Sequence, residues 1–264
     1  MKIFDCFTYF DEDLILDLRF NILNNYVEKF IIIECGEDHH GNKKKKNFNI
    51  NNFKKFEDKI IYIFIDNFGS LNNAWKREHF QRNYIQKALD VAGPEDMILI
   101  SDADEIPNLQ GLNFDTLNEF KYLVFEQNLF YYKLNLILDN NLPWHGTKGC
   151  KKKYLKSPQW LRSAKAHKTY PFWRFDKINF KKIHNGGWHF SYLKKPIDIQ
   201  QKIRSFAHTE FDEEKFFNLN NIEASIKQKK DLFHRGYSFK KVELDKNFPD
   251  YILKNKNKLE EWII

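Results

Sequence analysis

Met97–Pro107, MILISDADEIP, is the stretch from which the rest of the chain is read. Met97, Ile98, Leu99 and Ile100 form a short apolar run of the kind found in a buried strand. Ser101 ends it, Asp102, Asp104 and Glu105 follow at once, and Pro107 stops any continuation. Carboxylates this close repel one another unless a cation sits among them or water screens them. An apolar strand that runs into an acidic cluster therefore predicts a metal site at the C-terminal edge of a sheet, where open α/β sheets bind ligands. The plain alternative is a solvated acidic turn, since Asp and Glu also suit turns and helix starts.

Working outward, the chain of 264 residues is long enough for one large core. Apolar residues make up 42% and charged residues 30%, which excludes a disordered or membrane-embedded chain. No run approaches the roughly 18 apolar residues of a membrane span. The opening MKIFDCFTYFDED has an apolar stretch too short for a signal peptide, so a cytoplasmic protein without an anchor is expected. Cys6, Cys35 and Cys150 have neither metal-ligand spacing nor the even count of a disulfide framework. The net charge of +7 fits a nucleotide, an anionic lipid surface or a nucleic acid, and selects none of them.

Ile3–Tyr9, Phe30–Ile33 and Ile60–Ile65 read as strands. Leu14, Ile15, Leu18, Ile22 and Tyr26 recur at helical spacing between the first two, and a second helix is expected over Asn73–Val91. With the central strand at Met97 this gives β-α-β-β-α-β, hence an α/β fold with a mostly parallel sheet flanked by helices. The polar segment Gly36–Asn52 reads as a mobile loop, and its run Lys43–Lys46 as a solvated face. Beyond residue 110 the texture is more aromatic. Strands are expected within Tyr122–Leu138, Tyr170–Phe175 and Phe180–Ile183. Helices are expected from Pro196 to Phe206, over Ile222–Phe233 and over Tyr251–Trp262. One domain over 1–264 is expected, with a ligand-binding half over 1–110 and a mixed half over 111–264.

Three further clusters carry chemistry. In His184–Pro196, HNGGWHFSYLKKP, two glycines permit a close backbone approach to His189. On position alone His189 is a satisfied core histidine; the alternative is a ligand joining carboxylates around Mn²⁺ or Mg²⁺, with Lys194 or Lys195 touching a phosphate. In Arg204–Glu214, RSFAHTEFDEE, Glu210 is a candidate general base, or the segment is a helix start. Arg82 pairs with Glu78 at i, i+4 or reaches a phosphate.

Taken together, FTYFDEDLILDLRFNIL, FIIIEC, the W-x-R-E at Trp75, ISDADEIP and GGWHFSY resemble glycosyltransferase family 17, from about Phe7 to about Phe233. The resemblance implies a GT-A-like fold, a nucleotide-sugar donor such as UDP-N-acetylglucosamine, and inversion at the anomeric carbon. It places Asp102 and Asp104 on the Asp-x-Asp positions that hold a metal–diphosphate, and His189 as a further metal ligand. Lys194, Lys195 and Arg82 are expected near the phosphates, and Asp5 and Glu34 at the nucleoside. Glu210 is the first choice of base, with Glu126 and Asp231 as rivals. Animal members carry a membrane anchor, and none is expected here. A glycan acceptor on the cytoplasmic side is therefore expected, such as lipopolysaccharide or a lipid-linked oligosaccharide, with the basic, aromatic second half free to meet a membrane surface. The rival enzyme class is a metal-dependent phosphohydrolase or nuclease, which needs further acids such as Asp5 and Asp66 for a second metal. A nucleic-acid-binding role rests on charge and aromatics alone and leaves DADEIP unused, so nucleic acid is not an expected partner.

Overall fold

The computed structural model describes residues 1–113, 117–140, 142–171, 173–174, 177–205 and 214–264. Its frame is four parallel strands: β1 (Ile3–Thr8), β2 (Lys29–Cys35), β3 (Ile60–Ile65) and β4 (Met97–Asp102). Their spatial order is β3-β2-β1-β4, so the chain reverses its direction of travel between β1 and β4. A crevice opens at such a switch point, beyond the C-terminal ends of the strands. Helix α1 (Asp13–Leu23) covers one face. Helix α2 (Ala74–Asn83) and the 3₁₀ turns that follow it to Val91 lie on the other. The single helix expected over Asn73–Val91 thus tightens halfway.

The second half joins the same sheet. Strand β8 (Trp144–Lys151) lies antiparallel against β4, and β6 (Tyr122–Tyr131) lies antiparallel against β8. Beyond these come β7 (Leu136–Leu138), β9 (Lys181–Ile183) and β11 (Phe239–Lys241). Strand β5 (Glu105–Pro107) pairs antiparallel with β10 (Gly187–Ser191), which also runs parallel to β6. The remaining helices are α3 (Pro158–Ser163), α4 (Pro196–Ser205), α5 (Glu214–Phe217), α6 (Leu219–Gln228) and α7 (Asp250–Lys254). The expected strand over Tyr170–Phe175 is absent among its described residues. Among all described residues, no helix is long and apolar enough to cross a membrane.

Strand parity decides what each face receives. Ile3, Phe7, Met97 and Leu99 pack on the α1 side, whereas Phe4, Cys6, Ile98 and Ile100 pack on the α2 side. Asp5 shares the parity of Ile3 and Phe7, so its carboxylate points beneath α1. Arg19 comes down from α1 to meet it, with Nη2 at 2.6 Å from Oδ1 and Nε at 2.7 Å from Oδ2. Both side chains are fully buried. Nη1 donates in addition to the carbonyls of Asp102, Ala103 and Glu105, at 3.2, 3.0 and 2.8 Å. The expected role of Asp5 at the nucleoside is therefore corrected. It sits mid-strand, short of the C-terminal edge at Thr8, and its carboxylate is consumed by Arg19.

Glu34 stands at the C-terminal end of β2, as expected, with its carboxylate engaged by other groups. Its buried carboxylate accepts from the Tyr62 hydroxyl (2.8 Å) and from the backbone N–H groups of Asn47 (2.7 Å) and Phe48 (3.0 Å), and it pairs with Lys44. Glu34 thereby ties down the segment expected to be a mobile loop. Breaking a buried ion pair leaves the surviving charge uncompensated. Arg19→Met should therefore lower unfolding free energy by about 3–5 kcal/mol. The paired replacement Asp5→Leu/Arg19→Met should recover only the part due to the uncompensated Asp5 charge in urea titrations, because the carbonyls that Arg19 satisfied stay unpaired.

Candidate active site

The acidic turn folds as expected at the end of β4, and the glycine–histidine motif is its direct neighbour. In the β5–β10 pairing His189 stands opposite Glu105 and Gly187 opposite Pro107. The Phe190 N–H donates to the Asp104 carbonyl at 2.9 Å. Gly187 has a φ of +131°, and a Cβ there would lie 2.2 Å from the Ile106 carbonyl oxygen, so the approach of the two motifs requires glycine.

The three carboxylates of the turn diverge. Asp102 has the parity of Ile98 and Ile100 and points toward α2. There Arg82 Nη2 meets Oδ1 at 3.0 Å, and Arg162 of α3 meets Oδ2 at 2.7 Å. Glu105 is fully buried. It takes both Nη atoms of Arg162 at 2.8 Å, the Trp144 Nε1–H at 2.6 Å and the Asp102 N–H at 3.1 Å. Glu105 is thus a fixed internal anchor that orients the turn. Asp104 faces the cavity, with its Oδ1 3.5 Å from His189 Nε2 and its Oδ2 3.5 Å from Lys202 Nζ. Lys202 also lies 3.6 Å from Glu12.

These contacts set the charge states. Desolvation raises the Asp102 carboxyl, but Arg162 and Arg82 more than reverse this and hold it at about 2. Burial likewise works against an ionised Asp104, and Lys202 and His189 drive it well below the usual carboxylate range. Burial would strip the proton from Lys202, yet Asp104, Glu12 and Asp11 raise its affinity for it above that of an ordinary lysine. Asp102 and Asp104 are therefore ionised at neutral pH, with Arg82, Arg162 and Lys202 beside them.

The turn opens into a cavity of about 220 Å³ at the switch point between β1 and β4. Its walls include Thr8, Tyr9 and Phe10 after β1, Glu37, Asp38 and His39 after β2, Gln81 and Arg82 of α2, and Asp102, Asp104 and His189. Lys44 also lines it, so the run read as a solvated face contributes a cation to the cavity.

Arg82 lines this cavity and pairs with Glu78, as the i, i+4 spacing predicts, and with Asp102. Lys194 and Lys195 do not line this cavity. They border an adjoining one that shares Asp104, Glu12 and Lys202, where Lys194 pairs with Asp11 and Lys195 with Glu261. Glu210 lies outside the described residues. Its rival Glu126 is taken up by His184 (2.6 Å), Lys182 (3.1 Å) and His145 (3.3 Å), and Asp231 by Arg235. Asp66 is exposed and does not line the cavity, so with Asp5 locked on Arg19 neither acid expected of a two-metal hydrolase is in place.

Sequence reading missed Arg19, Arg162 and Lys202. Lys202 had a signal, because it falls on the same face of α4 as the buried Ile199 and Ile203.

The donor set bears on a metal. Among the described residues, no three His, Cys, Asp or Glu side chains converge in metal-binding geometry. Of the three expected ligands, Asp102 lines the cavity with each oxygen paired to a guanidinium, and Asp104 and His189 lie 3.5 Å apart beside it. That carboxylate–imidazole pair fits part of the shell of a hard cation, which commonly completes it with water and phosphate oxygens.

Comparison with known proteins agrees with this geometry. The family model described as Glycosyltransferase family 17 matches residues 1–248. The chain belongs to glycosyltransferase family 17. Similar family relatives are the human and mouse proteins named beta-1,4-mannosyl-glycoprotein 4-beta-N-acetylglucosaminyltransferase, 29% and 28% identical over 110 residues. The matched stretch covers 38% of this chain and 21% and 20% of those proteins, so it spans about a fifth of the length of these relatives.

A pH dependence follows from Asp102. Its carboxyl is held at about 2 against an ordinary 3.8, so its pairing with Arg162 and Arg82 contributes stability that is present above the ordinary value. That stability is lost as pH falls through the lowered one. Asp102→Asn should flatten this acid limb in unfolding curves recorded from pH 5 downward, and an unchanged limb would show that the guanidiniums do not favour the ionised form.

Proposed function

We propose that this family 17 member transfers a sugar from a nucleotide-sugar donor to a hydroxyl of a glycan acceptor, by a single displacement within a GT-A-like fold. The observation that carries this reading is the meeting of Asp104 and His189 at a cavity lying at the sheet's switch point. Alternating parallel strands and helices position that cavity, as in nucleotide-binding α/β proteins. The names of the relatives support N-acetylglucosamine as the sugar.

In this reading the diphosphate of the donor enters along Arg82, Lys44 and Lys202. Asp104 and His189 are the residues that would hold Mn²⁺ or Mg²⁺, which when bound offsets charge on the departing diphosphate. Arg162 and Glu105 keep the turn from reorganising as that charge develops, the condition under which fixed dipoles and charges accelerate a reaction. The acceptor oxygen forms a bond to the anomeric carbon, the bond to the diphosphate breaks, and the acceptor proton passes to a carboxylate. Glu210, which follows α4 in sequence, is the proposed base. A glycan on the cytoplasmic side of a membrane is the proposed acceptor.

A thermal-shift screen of nucleotide sugars with and without Mn²⁺ tests the donor. A bound donor well above its dissociation constant should stabilise the fold by roughly 2–4 kcal/mol. Asp104→Ala should reduce transfer about 100-fold or more, the scale of losing one preorganised electrostatic group. Full transfer by this variant would sink the assignment. Sugar release that needs no acceptor would instead support a hydrolase.

A further inference from the structure

A second cavity, of about 380 Å³, lies on the other side of His189. The two cavities share His189, Ser191 and Tyr192 as a common wall. Tyr192 has a φ of +53°, an unusual backbone state for a bulky side chain, so β10 ends in a sharp turn at that wall.

Aromatic side chains also line the second cavity. Trp144 is 40% exposed and Tyr237 is 36% exposed, both large for aromatic side chains. Trp144 is also held from two sides. Its Nε1–H donates to buried Glu105 at 2.6 Å, and its ring lies against His189 with centroids 4.8 Å apart. Glu105 is bound in turn by Arg162, which reaches Asp102. The indole is therefore fixed in register with the acidic turn while part of it stays open to a ligand.

We propose that this second cavity is the acceptor subsite and that a pyranose ring of the acceptor stacks on Trp144. The proposal rests on the transferase reading. A pyranose has an apolar C–H face and a rim of hydroxyls, which matches a rigid aromatic surface bordered by polar groups. The rim here is Ser191, His189 and the Arg235 guanidinium, held in place by Asp231 and the Tyr131 hydroxyl. An alkyl chain in the same place would cover those polar groups without pairing them, at a desolvation cost that hydroxyls avoid. Because the two cavities share that wall, a ring in the second would lie beside the donor cavity.

Saturation-transfer difference NMR on the full chain, with UDP and Mn²⁺ present, tests this. The probes are the methyl pyranosides of mannose, glucose, galactose and N-acetylglucosamine. At least one should receive saturation, concentrated on the C–H protons of one ring face. Trp144→Leu should weaken its binding about fivefold, the scale of one aromatic contact. Tyr237→Ser lies away from the acidic turn; it should weaken pyranoside binding while leaving the nucleotide-sugar thermal shift intact, and it serves as the deciding variant should Trp144→Leu not fold. No saturation of any pyranoside by the wild-type chain, or equal saturation in wild type and the deciding variant, would overturn the proposal. Pyranoside binding that depends on Trp144 with no thermal shift from any nucleotide sugar would uphold the subsite and sink the transferase reading, so the two failures are distinguishable.

Discussion

The geometry of the site depends on one buried guanidinium. Arg19 sits on the inner face of α1, neutralised by Asp5, and three carbonyls of the acidic turn converge on it. Its Nη2 also donates to the Ser101 hydroxyl at 2.5 Å. A planar group with donors in a fixed fork can gather several acceptors where a lysine offers only a point charge. With the carbonyls of residues 102, 103 and 105 drawn toward α1, the turn has one backbone shape. The carboxylates must then find partners elsewhere.

They find them in separate places, which explains why adjacent acids can coexist. Asp102 and Glu105 are matched by Arg82 and Arg162, and Asp104 by Lys202 and His189. Each of these partners comes from a different element: α2, α3, α4 and β10. The turn therefore acts as a junction at which the parallel half of the sheet, the antiparallel half and the helices after it are fastened together. The same junction gives the cavity its character, since Arg82 and Lys202, which neutralise the turn, also line the cavity. Trp144 extends the network to the second cavity through its bond to Glu105.

Much of this frame was legible in the sequence. The strands at Ile3, Phe30, Ile60 and Met97 and the helix after Asp11 follow from apolar runs and periodicity, which are local properties. The strand-edge position of Asp102 and Asp104 follows from an apolar run ending in acids, whereas His189 is placed beside them only by the family resemblance, with the glycines before it permitting the approach. Local pattern failed where a side chain's role depends on parity. Asp5 has the composition of a strand-end ligand, yet one residue more or less decides whether it faces a ligand or the underside of α1. It failed again at Lys43–Lys46, because only the folding of that loop onto Glu34 carries Lys44 inward.

The sequence by itself determined the α/β class, the order of the parallel strands along the chain, the motifs of the site and the family. Tertiary structure alone decided which acid does what. Asp102 and Glu105 are committed to guanidiniums and Asp104 is turned to the cavity, because Arg82, Arg162 and Lys202 arrive from residues 20, 57 and 98 positions away. Periodicity reports on neighbours within one element. Charge pairing across such separations is fixed only when the sheet closes and the burial of each ion demands a counter-ion within reach.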